Sequence, residues 1–150
     1  MTGRYTKSGR LSDVLALIQV LALDEYTHRH PSGLEDELQG KPSSADSWTV
    51  VAKEHPEFFR LVVRPGKENQ VSLVARHVLP HGEGERRPPL SPDFTAALLQ
   101  TAITLHEREV DASQWLWKTL LPFAAALLSA LIGATAAIVA PHFVKLPCQK

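Results

Sequence analysis

The sequence predicts a mainly α protein: a small α+β domain, then a long helical stalk running into one transmembrane helix. Three observations predict it. From Thr119 to Val144 no Lys, Arg, Asp or Glu appears over twenty-six positions. Ahead of that run, short apolar segments with helical spacing are bounded by caps and prolines. At Phe59 the period drops to two, the spacing of a half-buried strand. The chain has 150 residues, so the part outside the apolar tail holds one small domain. The boundaries read 1–10 flexible amino terminus, 11–80 folded domain, 81–92 Pro/Gly linker, 93–118 juxtamembrane stalk, 119–141 transmembrane helix and 142–150 outer tail.

Ser12 and Asp13 open the first helix as cap and first-turn acid. Val14 to Leu23 then holds nine apolar residues in ten, Gln19 being the exception. A helix apolar on nearly every side belongs in the middle of a fold. In the following EYTHRHPS, His28 and His30 stand two apart with no second ligand pair at metal spacing, so neither a metal nor a cofactor is expected. Ser32 to Glu35 reads as a capping box for a short second helix, with Leu34 and Leu38 as its buried edge and Gly40 and Pro42 as its stop. Ser43 or Ser44 caps a third helix whose inward set is Trp48, Val51, Ala52 and His55. Pro56 ends it, because the residue before a proline is pushed out of the helical region.

Phe59, Leu61 and Val63 alternate with Arg60, Val62 and Arg64, and after a tip at Pro65 to Asn69 a second run spans Gln70 to Val78. This is a β-hairpin. Helix, short helix, helix and hairpin is the order of a winged helix-turn-helix, and residues 11–80 resemble that fold in order and length. With a single span added, the layout resembles bacterial membrane-tethered winged-helix regulators. In that family the third helix enters the major groove and the wing touches phosphates. The resemblance therefore implies a DNA or partner face at Ser44, Ser47, Val50 and Lys53, joined by Arg60, Arg64, Lys67 and Arg76 of the hairpin. As a reader of DNA that face is poor. Its helix offers one cation beside Asp46 and Glu54, and no Arg, Asn or Gln for a base edge.

Residues 81–92, HGEGERRPPLSP, form a linker of moderate stiffness. Ser91, Pro92 and Asp93 start a helix in which Phe94, Leu98, Ala102 and Leu105 make an apolar line beside Leu99, Ile103 and Val110. Unbroken to Lys118, it is a stalk of about 40 Å whose apolar line needs a partner: another copy, the front domain or the membrane surface. Thr119 to Ala140 would extend roughly 33 Å, enough for a hydrocarbon layer of about 30 Å. Trp115, Trp117 and Lys118 at one end and Lys145 at the other are the interface anchors. Ala125, Ser129, Gly133 and Ala137 recur every fourth position, a line of small residues along which helices associate in lipid. A homo-oligomer is expected from it. With no signal peptide ahead of the domain, the expected placement is single-pass in a bacterial-type inner membrane with a cytoplasmic amino terminus. The single Cys148 excludes an internal disulfide.

Sixteen Lys and Arg balance sixteen Asp and Glu, and residues 1–80 are neutral as well. No whole-chain attraction to nucleic acid follows. There is no nucleophile elbow, no glycine-rich phosphate loop and no ligand cluster, which argues against an enzyme. The expected function is a membrane-anchored adaptor that presents the front module to an unidentified cytoplasmic protein, with lipid and a second copy as its other partners. A membrane-tethered DNA-binding regulator is the alternative, with DNA the less favoured partner. A small pore-forming or membrane-disrupting effector is the second alternative.

Overall fold

Three helices, a two-stranded sheet and one long helix follow in order: α1 (Arg10–Leu23), α2 (Pro31–Glu37), α3 (Trp48–Glu54), β1 (Phe59–Val62), β2 (Gln70–Leu73) and α4 (Pro92–Phe143), with a 3-10 turn at Val74–Val78. The structure is a computed structural model that describes residues 4–63, 66, 68–80 and 87–143, with backbone alone at 116, 117, 119 and 130–143. The chain divides into two units, Met1–Val110 and Asp111–Lys150.

In the first unit α1 is the centre. Val14, Leu17, Ile18, Leu21 and Ala22 are all fully buried, packed against Leu34 of α2, Trp48, Val51 and Ala52 of α3, and Phe59, Val71 and Leu73 of the sheet. The helix begins two residues ahead of Ser12, because Gly9 takes the left-handed conformation at the cap position (φ 75°). A Cβ there would run into the Ser43 hydroxyl. α2 likewise begins at Pro31, a proline in the first helical position, where its missing N–H costs nothing. The left-handed Gln39 (φ 57°) and Gly40 (φ 143°) end it. Ser47 caps α3, its hydroxyl accepting from the Val50 N–H at 3.4 Å. Ser43 and Ser44 serve another purpose: their N–H and hydroxyl groups all donate to the Asp13 carboxylate.

β1 and β2 pair antiparallel, Phe59 opposite Leu73 and Val62 opposite Gln70. Arg29 bridges the far side of β2 through two backbone bonds to Val71, 2.9 and 2.8 Å. The second strand stops at Leu73, short of the Val78 expected. Arg76 is the cause. It is fully buried, and its guanidinium donates to the carbonyls of Leu21 (3.2 Å), Asp24 (2.6 Å) and Tyr26 (2.9 Å), which pulls the chain into a helical turn over the end of α1. Five donors in a fixed fork suit the carbonyls that a helix terminus leaves free.

After the linker, Leu90 is buried and its N–H donates to the Ala22 carbonyl at 2.8 Å. α4 starts where Ser91 and Pro92 set it, with the Phe94 N–H on the Ser91 hydroxyl. Thr95 and Ala102 are buried, and Leu98, Leu99 and Leu105 pack against the core. The first part of the apolar line thus finds its partner in the domain.

The transmembrane helix is corrected by the structure. Among the described residues no helix is long and apolar enough to cross a membrane. Within the second unit Lys118 is paired with Asp111 at 3.3 Å. The fold is instead mainly helical with a small two-stranded sheet. The single-pass inner-membrane placement falls with the span. In the second unit, taken by itself, Trp115, Leu120, Leu121, Phe123, Leu127 and Leu128 are exposed.

Candidate partner-binding groove

A groove of about 420 Å³ opens between the end of α3 and β1, lined by Ala52, Lys53, Pro56, Phe59, Arg60, Leu61 and Val74. Successive strand side chains point to opposite faces, so three consecutive residues of β1 lining one groove place it along the strand's edge. The pairing phase says which backbone groups that edge offers. Val71 spends its N–H and C=O on Arg29, away from β1. In an antiparallel ladder, bonded and non-bonded pairs alternate, so Leu61 opposite Val71 is a non-bonded pair. The N–H and C=O of Leu61 therefore face the open edge. The Phe59 N–H on that edge is already taken, donating to the His55 carbonyl at 3.0 Å.

The rim is positive because nearby acids are used elsewhere. Glu54 pairs with Lys7 at 2.8 Å and with the buried Arg10 at 2.7 Å. The Lys7 bond, ahead of the Arg10 charge, holds its carboxyl below the usual carboxylate range. Glu57 accepts from the Tyr5 hydroxyl at 2.7 Å and meets His55 Nδ1 at 3.0 Å. Burial pushes its carboxyl up, but the bonds from Tyr5, its own backbone N–H and His55 outweigh burial and leave it low. Burial first, and then Glu57, raise the Tyr5 hydroxyl. His55, fully buried, is lowered by desolvation despite Glu57. Lys53 and Arg60 are both exposed, and among the described residues neither is in an ion pair.

Of the residues singled out from the sequence, the structure brings Lys53 and Arg60 together on this rim. Ser44 is occupied by Asp13 and Arg10, Ser47 by the cap of α3, and Val50 is half-buried. Arg76 lies inside the fold. Arg64, Lys67, Lys145 and Cys148 lie outside the described residues, as do the side chains of Trp117, Gly133 and Ala137. Ala125 and Ser129 are exposed, the Ser129 hydroxyl donating back to the Ala125 carbonyl at 2.6 Å. Pro56 and Leu61 carry the groove, yet the sequence marks them only as a helix stop and a strand position. The break at Pro56, just before an alternating run, was the available signal. No family model matches the chain, and no curated protein or solved structure matches it.

Proposed function

We propose that the first unit is a protein-interaction module and that its partner is taken in the groove between α3 and β1. One observation carries the reading: an apolar trough runs along a strand edge that pairs with no other strand among the described residues, and it is rimmed by two exposed cations that are in no ion pair among the described residues. The resemblance to a winged helix rests on element order and on the Arg29 bridge, which puts a third extended position beside β2. DNA reading draws less support. Ser44 and Ser47 are spent inside the fold, and Arg76 is buried.

The test is a selection of displayed random peptides on the full chain, beside titration of the full chain with random duplex DNA at low salt. Peptides that bind the native chain and lose binding to Arg60→Glu support the module. DNA binding with a steep salt dependence, and no selected peptide, would put the regulator in its place.

A further inference from the structure

We infer that the occupant of the groove is an extended segment of a partner protein, alternating apolar and acidic side chains, which adds to β1 as a strand through Leu61. This rests on the reading of the groove as a protein-binding site and specifies the mode of capture. An edge residue whose N–H and C=O both point outward exchanges two closely spaced bonds with one residue of an incoming antiparallel strand. Leu61 is that residue. The committed Phe59 N–H leaves only the Phe59 carbonyl to extend the ladder toward α3, so Leu61 is the one residue of β1 that offers both its groups to the segment.

The lining gives the side-chain chemistry. Pro56, Leu61 and Val74 offer apolar surface to alternate residues of the segment, and Lys53 and Arg60 meet carboxylates at the rim. Glu54 and Glu57 do not repel such carboxylates strongly. Each is neutralised by its own partner on the amino-terminal strap, Glu54 by Lys7 and Glu57 by Arg4 at 3.5 Å and the Tyr5 hydroxyl. The face suits polypeptide more than nucleic acid, because an open backbone edge is matched only by another backbone.

The test uses the full chain and synthetic fluorescein-labelled octapeptides alternating Val with Glu, and Val with Lys. Each is also made with N-methyl groups on one set of alternate residues or on the other. The Val/Glu peptide binds about tenfold more tightly than the Val/Lys peptide, a difference of about 1.4 kcal/mol. N-methylation of one alternate set abolishes binding and N-methylation of the other leaves it nearly intact, because only one edge of the peptide faces β1. Amide hydrogen exchange at Leu61 slows on binding, while that at Arg60 and Val62, already paired within the hairpin, does not change. Binding that is indifferent to N-methylation, with Leu61 exchange unaltered, overturns strand addition while leaving the module reading intact. Failure of the Val/Glu peptide to bind a chain that does select library peptides overturns it equally. Failure of the module itself shows instead as an empty library selection.

Discussion

Leu17 and Leu21 in α1 and Leu120 and Leu127 in α4 sit on helices of comparable apolarity and meet opposite fates. The first pair is completely buried, whereas the second is 60% and 68% exposed. What separates them is the polar scaffolding. Around α1, Asp13 gathers the loop ahead of α3, Arg10 reaches the Ser44 carbonyl at 2.9 Å, and Arg76 ties off the far end. Along the described part of the second unit stand the exposed Lys118–Asp111 pair and the Ser129 hydroxyl, bonded back to the Ala125 carbonyl of its own helix. Apolar side chains state that cover is wanted; buried hydrogen bonds decide where the cover comes from.

The comparison can be broken first at Arg76. Arg76→Met leaves at least three carbonyls without donors, and at about 1–3 kcal/mol for each buried unsatisfied group, a loss of about 3 kcal/mol or more is expected in urea unfolding. A loss under about 1 kcal/mol would mean that water replaces the guanidinium. Next come paired truncations. Leu17→Ala is expected to cost about 2–5 kcal/mol, and Leu127→Ala within about 0.5 kcal/mol. Equal costs would erase the distinction between the two regions. Gly9→Ala sits lower, at about 1 kcal/mol, from the left-handed backbone and the crowding of Ser43.

The smallest effect is a pH dependence. His55 is lowered from its ordinary 6.5, so the unfolded chain binds more protons below that value and stability falls as pH drops through it. Glu54 and Glu57, lowered from 4.5, are fully stabilising above that value and lose their contribution on further acidification. Tyr5 is raised above its ordinary 10.0, so stability falls again above about pH 10 as the unfolded phenol ionises. Urea midpoints should therefore plateau between about pH 7 and 9, and in His55→Asn the acid shoulder should shrink to what His77, also lowered by burial, contributes.

Much of the first unit was legible. The inward set Trp48, Val51, Ala52 and His55, the central placement of the helix over Val14 to Leu23, whose last residue is nonetheless exposed, and the start of the hairpin at Phe59 all follow from spacing. Charged residues inside the fold were not legible. Asp13 looks like a first-turn acid and Arg76 like a surface cation on an alternating strand, and spacing alone cannot report that the loop serines or the carbonyls ending α1 sit within reach. The groove was hidden for a related reason: its main contribution is the backbone of Leu61, and no side-chain pattern announces an amide that faces away from its hairpin partner. In the tail, a charge-free run suggested its surroundings from composition, whereas among the described residues no helix is long and apolar enough to cross a membrane.

The central claim is that binding occurs on the rim formed by Lys53 and Arg60. The most direct measurement is the relative affinity of the Val/Glu and Val/Lys octapeptides for the native chain and for a chain carrying both Lys53→Glu and Arg60→Glu. The account predicts that the native preference for the acidic peptide inverts while the urea midpoint stays put. A preference that survives the double reversal would contradict it.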